Sequence, residues 1–165
     1  MKPFYLTTAI AYTNAEPHIG FALELVYADV LARYMRMTGR PVKFLTGTDE
    51  HGQKIAHKAD EVKKDAQVFV NEMAARVREL CDKLDISNDD FIQTTQERHK
   101  RSVAAFWNRV MEAGFIYKRP YAGLYSVGCE SFKTEKDLVD GMCPDHGTAP
   151  ERFEDENYFF KLTAF

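Results

Sequence analysis

The sequence predicts an α/β fold: a parallel sheet wound with helices, followed by a small β-rich knuckle. Three observations carry this. Short β-branched and aromatic runs alternate with stretches of helical period as far as Gly114. Two polar clusters, NAEPHIG and TGTDEHG, fall just after the first two strand runs. That is the edge where open parallel sheets bind their ligands. Beyond Gly114 the helical period fades, and Gly, Pro and aromatic residues punctuate short extended runs.

Residues 4–12, FYLTTAIAY, are short, β-branched and aromatic, which predicts a buried strand. A helix follows from near Ile19. Leu23, Val26, Val30 and Tyr34 mark its apolar stripe, and Gly39 with Pro41 ends it. VKFLTG, residues 42–47, is a second buried strand, and TDEHG makes a polar turn at its carboxyl end. Asp65 suits the N-cap of a long helix buried along Phe69, Met73, Val77, Leu80 and Leu84. Residues 90–94 form a third strand. The helix over residues 96–113 then turns Val103, Phe106 and Val110 inward and stops at Gly114. Segments 1–114, 115–153 and 154–165 are thus expected to differ in kind. Only TEKDLVD within the knuckle has helical character, and ENYFFKLTAF ends apolar and uncapped, as if cut in mid-domain.

Composition narrows the function classes. The chain has 165 residues, of which 45% are hydrophobic and 13% aromatic, enough for a core and too many for a disordered tail. A net charge of −3 argues against a freestanding basic nucleic-acid binder. No apolar run is long enough for a membrane span, and the amino terminus is not a convincing secretory signal. Three cysteines, an odd number, suit a reducing compartment, so a cytoplasmic location is expected.

The two polar clusters carry the chemistry. A helix start offers unpaired N–H groups and the positive end of the helix dipole, which attract phosphate. Pro17 stiffens the approach, Gly20 lets a ligand pack against backbone, and His18 adds a ring donor for a phosphate oxygen. The same residues also suit a plain helix cap and a tight turn. In TGTDEHG, Asp49 can hold a substrate ammonium through a charge-assisted hydrogen bond. Asp49 and Glu50 can equally cap a following helix. Of the rest, Cys81 reads as a small core residue, His57 and His99 as solvated, and Trp107 as packing.

Taken together, TTAIAYTNAEPHIG, ADVLARYMRMTGRPVKFLTGTDEHGQKI and the knuckle GLYSVGCESFKTEKDLVDGMCPDHG closely resemble the opening of methionyl-tRNA synthetases, which are class I aminoacyl-tRNA synthetases. PHIGF lies where that family carries its HIGH motif, and ENYFFKL resembles the return from its connective peptide. The resemblance runs from about Phe4 to Phe165. It implies a Rossmann-like, HIGH-type nucleotide fold and the activation of L-methionine by ATP with Mg²⁺, followed by transfer to tRNA(Met) through parts mostly absent here. His18 and Gly20 are the implied catalytic residues, and Pro17, His18, Ile19, Gly20 and Glu24 the implied ATP site. Ala9, Ile10, Tyr12, Asp49 and His51 are the implied methionine site. It implies too that the family's KMSKS loop lies outside this stretch, which alone would turn over poorly. No nucleophilic triad is needed, because the substrate carboxylate is itself the nucleophile.

Two departures stand out. The second histidine of the HIGH motif is Phe21 here, which removes one phosphate donor and supplies an apolar ring that can pack on the sheet. The knuckle quartet reads Ser126, Cys129, Cys143 and His146, so three good zinc ligands remain where a closed site wants four. Either water or a nearby side chain completes the tetrahedron, or the knuckle folds without metal around Tyr121, Tyr125 and Phe132. Two other functions stay open at this point. One is another HIGH-type synthetase or nucleotidyltransferase; the other is a catalytically inactive synthetase-like binding module.

Overall fold

The computed structural model describes residues 2–165. They form two compact units, the first ending at Lys100 and the second running Arg101–Phe165. The first unit contains β1 (Phe4–Thr7), β2 (Ala11–Tyr12), α1 (Ile19–Met37), β3 (Val42–Asp49), α2 (Gln53–Glu61), α3 (Ala66–Lys83) and β4 (Asp90–Gln93). The start of α4 (Glu97–Glu112) also belongs to it. Every pairing in its sheet is parallel, with β3 in the middle. No helix among the described residues is long and apolar enough to cross a membrane.

The run expected as one buried strand over residues 4–12 is two short strands, and neither contains a buried residue. β1 pairs only with β3, so it is an edge strand, and its residues alternate between half-buried and exposed. The break between the two is a matter of register. Thr7 faces Leu45 and Ala11 faces Thr48, so three residues (8–10) stand against two (46–47). One extra residue is thereby squeezed into the strand, as in a β-bulge. The Thr8 and Thr46 hydroxyls, 2.7 Å apart, clasp the two chains at the start of this break.

The apolar stripe expected on α1 also needs correction. Leu23, Val26, Val30 and Tyr34 are exposed, and the buried face is Phe21, Leu25, Asp29 and Ala32. Phe21 and Leu25 enter a cluster with Val77, Cys81 and Phe91. Asp29 is tolerated in that row because it is fully partnered. It accepts from Ser87 N–H at 2.7 Å, from the Ser87 hydroxyl, and from Arg33 Nε at 2.6 Å. Arg36 reaches the same loop, donating to Ser87 Oγ at 2.6 Å and to Asp89 at 3.0 Å.

Burial alone would raise the Asp29 pKa, but the two Ser87 hydrogen bonds and then Arg33 outweigh it and hold it below the ordinary carboxylate value. A depressed carboxylate stabilises the fold above its unfolded pKa of about 4, and that contribution is lost as pH falls through the lower folded value. Asp29→Asn is therefore expected to cost about 2 kcal/mol at pH 7, with the gap from the parent protein closing below about pH 4. Urea unfolding at pH 7, 5 and 3 measures this; a gap that is unchanged at pH 3 would contradict the assignment.

α3 follows its expected course. Asp65 caps it, accepting from Gln67 N–H at 2.9 Å and Val68 N–H at 3.1 Å, and Phe69, Met73, Val77 and Cys81 are buried. Leu84, expected on the buried face, is 37% exposed. α2 has no counterpart in the sequence reading. It begins at Gly52 without a side-chain cap, so neither Asp49 nor Glu50 caps it. Its buried residues, Ile55 and Ala59, join Phe69, Val70 and Met73.

In the second unit β5 (Ile116–Ser126) pairs antiparallel with both β6 (Ser131–Lys133) and β7 (Glu151–Phe160). β7 runs unbroken through residue 153. The helical character of TEKDLVD appears as one 3₁₀ turn at Glu135–Asp137, closed by a Thr134–Asp137 capping box. Tyr121, Tyr125, Phe132 and Phe153 interlock, mostly edge to face, with centroids 4.5–6.4 Å apart. On α4, Val103 and Phe106 are exposed and Val110 is half-buried, in place of the inward face expected. They line an apolar hollow of about 850 Å³ with Trp107 and Tyr158, whose rings meet edge to face at 5.4 Å.

Candidate functional site

The carboxyl ends of β2 and β3 and the amino end of α1 hold the chemistry-bearing residues. His18 is the N-cap of α1. Its backbone is extended, and its Nδ1 accepts from Gly20 N–H at 3.1 Å. An imidazole that accepts through Nδ1 carries its proton on Nε2, so capping leaves one ring donor available. The two readings of His18, cap and donor, are therefore compatible. Gly20 answers to the same ring: a β-carbon there would lie 3.0 Å from His18 Cε1 and Nδ1.

Phe21, one residue further on, is 9% exposed and packs with Leu25 and Phe91. It takes the inward, apolar role that the sequence allowed for it. Pro17 and His18 line a hollow of about 180 Å³ with Tyr12, Phe21, Met73 and Val77. Ile19 and Gly20 are exposed beside it on the first turn of α1.

The residues of the implied methionine group separate into two sets. Tyr12 and Asp49 are ladder partners, and Thr13 N–H donates to the Asp49 carbonyl at 3.1 Å. These contacts fix the end of β2 against the end of β3. Tyr12 lines the small hollow; Ala9, Ile10, Asp49 and His51 do not. Ala9 and Ile10 lie in the three-residue break between β1 and β2. Thr8 N–H still donates toward β3, so by strand alternation the Ala9 N–H points away from it and donates to Glu24 Oε1 at 2.6 Å. Glu24 thus ties the break to the second turn of α1, a role the sequence did not reveal.

Sequence reasoning also missed Glu50. It is 4% exposed and satisfied on all sides. It accepts from Thr48 Oγ1 at 2.6 Å, from Gln93 Nε2 at 3.0 Å and from the Thr95 hydroxyl. Its own N–H donates to Thr94 Oγ1 at 2.8 Å, while His51 Nε2 lies 3.2 Å from the Thr94 carbonyl. Glu50 therefore bolts the Asp49–His51 turn onto the end of β4. The available signal was a carboxylate directly after a strand, with a Thr-Thr pair ending the next one.

In the knuckle, Cys129 Sγ lies 3.3 Å from both Cys143 Sγ and His146 Nδ1, and Cys143 Sγ is 3.8 Å from that nitrogen. Two sulfurs and an imidazole nitrogen converging at these separations suit a tetrahedral zinc ion. Ser126 is buried beneath them, and its Oγ accepts from Cys129 N–H at 3.4 Å. Hydrogen bonds from His146 and then Ser126 outweigh burial and lower the Cys143 thiol to about 6. Gly128 makes room for this arrangement, because a β-carbon there would lie 2.5 Å from the His146 ring. Cys81, by contrast, is a buried core thiol pushed up to about 11, chiefly by desolvation.

With this geometry in place, comparison with known proteins decides the family. The family model for tRNA synthetases class I (M) matches residues 4–158. The chain belongs to this family. It is 44% identical to the methionine–tRNA ligase of Clostridium perfringens over 99% of its own length and 25% of that protein's. It is 45% identical to that of Rickettsia bellii over 98% of its length and 32% of the relative's. The chain thus spans a quarter to a third of these relatives. Among solved structures it superimposes on Mycobacterium tuberculosis methionyl-tRNA synthetase in complex with methionyl-adenylate. The TM-score is 0.91 at 41% identity, covering 99% of this chain and 33% of the other. As a member of the synthetase family the first unit has a Rossmann-like parallel sheet, as the sequence led one to expect.

Proposed function

We propose that this chain forms the part of a methionine–tRNA ligase catalytic domain that binds ATP and L-methionine. The observation that carries the reading is the His18-capped start of α1 standing after the β2 end that pairs with Asp49. A similarity spanning nearly the whole chain to a synthetase solved with methionyl-adenylate supports it.

In this mechanism the positive amino end of α1, the open backbone at Gly20 and the His18 Nε2–H face the ATP phosphates, where negative charge builds as pyrophosphate leaves. The Asp49 carboxylate pairs with the methionine ammonium, and Ala9, Ile10, Tyr12 and His51 surround that amino acid. The methionine carboxylate oxygen attacks the α-phosphorus in line, and the P–O bond to pyrophosphate breaks. The protein's contribution is orientation and charge neutralisation, with Glu50 and Glu24 keeping the two binding segments in place. Mg²⁺ would accompany ATP and help to neutralise the phosphate charge. In the full protein the methionyl group then passes to tRNA(Met). A zinc ion held by Cys129, Cys143 and His146 would brace the knuckle.

Amino-acid-dependent ATP–pyrophosphate exchange, measured with protein expressed from the full reading frame, tests this. Methionine is expected to support exchange while leucine, isoleucine and valine do not. Exchange with one of the other three, or with none, overturns the reading.

A further inference from the structure

We propose that Asp145 is the fourth zinc ligand of the knuckle, taking the place that Ser126 leaves unfilled. This rests on the reading of the knuckle as a zinc site. In a tetrahedral zinc centre, with Zn–S of about 2.3 Å and Zn–N or Zn–O of about 2.0 Å, neighbouring donor atoms stand roughly 3.5 Å apart. Asp145 Oδ2 lies 3.5 Å from Cys129 Sγ, against 3.3 Å from that sulfur to Cys143 and His146. It stands outside the trio whose donor atoms all lie within 4.8 Å of one another, so its side chain must turn inward to complete the site.

Asp145 shares one short turn with two of the other donors, since Cys143, Asp145 and His146 fall within four residues. The His146 N–H and Gly147 N–H both donate to the Cys143 carbonyl, which fixes that turn. Ser126 is a weaker candidate although it is nearer the interior. Its hydroxyl is already engaged by Cys129 N–H, and a neutral serine oxygen is a poor partner for zinc beside two thiolates.

Charge points the same way. Two thiolates, one carboxylate and a dication sum to −1, and Lys133 stands ready to balance it. Its ammonium lies 3.8 Å from Asp145 Oδ2. The Asp145 side chain is 65% exposed and among the described residues has no tighter ion pair, so it can swing onto a metal without breaking a buried contact.

Zinc and cobalt titrations of the 165-residue chain, with a chromophoric chelator as competitor, test the assignment. The parent protein is expected to bind one zinc, and Asp145→Asn to weaken it by about 10- to 100-fold. Ser126→Cys should bind more tightly, with cobalt charge-transfer intensity rising from two thiolates to three. In the Ser126→Cys background the sulfur displaces the carboxylate, so Asp145→Asn should then change affinity by less than about twofold. A residue that merely shaped the turn would show the same penalty in both backgrounds, and that result overturns the proposal. Unchanged zinc affinity in Asp145→Asn overturns it while leaving the zinc site intact. If neither the parent nor Ser126→Cys takes up zinc, the zinc reading itself fails and the proposal with it.

Discussion

Gly47→Ala is expected to destabilise the first unit by about 3 kcal/mol, at the upper end of what overpacking a core costs. Gly47 and Ile92 are partners across β3 and β4. A β-carbon on Gly47 would stand 2.0 Å from the Ile92 carbonyl oxygen and 2.6 Å from its Cγ2. The first of these is backbone, so no rotamer change relieves it and the strands must part. Parting them also pulls Glu50 from Gln93 and the Thr94–Thr95 corner, which loosens the Asp49–His51 turn. With a urea slope of about 2 kcal/mol per molar, the unfolding midpoint should fall by roughly 1.5 M. An alanine variant with the parent midpoint would show that strand spacing here is not set by the missing side chain.

His18→Ala is expected to lower methionine-dependent exchange by about 10²- to 10³-fold, the range seen when one preorganised donor to a developing negative charge is removed. Alanine also forfeits the cap on Gly20 N–H, worth about 1 kcal/mol of stability. His18→Asn separates the two effects. Asparagine caps a helix well but cannot place a donor where Nε2–H stands, so its stability should match the parent while its exchange falls with alanine's. Near-parent exchange by His18→Asn would reduce the histidine to a cap.

Local chemistry made part of this fold legible. Asp65 announced the start of α3, and Gly114, in the left-handed region at φ 76°, announced the end of α4. The α1 face was misjudged because its buried row includes Asp29. Hydropathy ranks a carboxylate as a surface residue, and only the Ser87 loop, 58 positions away in sequence, explains its burial. α2 went unseen because just two of its nine residues are buried, which leaves a polar sequence with no stripe to read. At the candidate site, residue types and spacing singled out His18, Gly20 and Asp49 as candidates. Nothing local could reveal Glu24 on the Ala9 amide or Glu50 under Asp49, since both depend on how distant segments are brought together.

The mismatch of three residues against two beside β3 has an evolutionary consequence. A strand break made by counting, rather than by particular side chains, can have its side chains exchanged while its shape persists. Positions 9 and 10 then become interchangeable tiles on a fixed frame. A lineage can thereby vary the residues at this break without rebuilding the sheet that frames them.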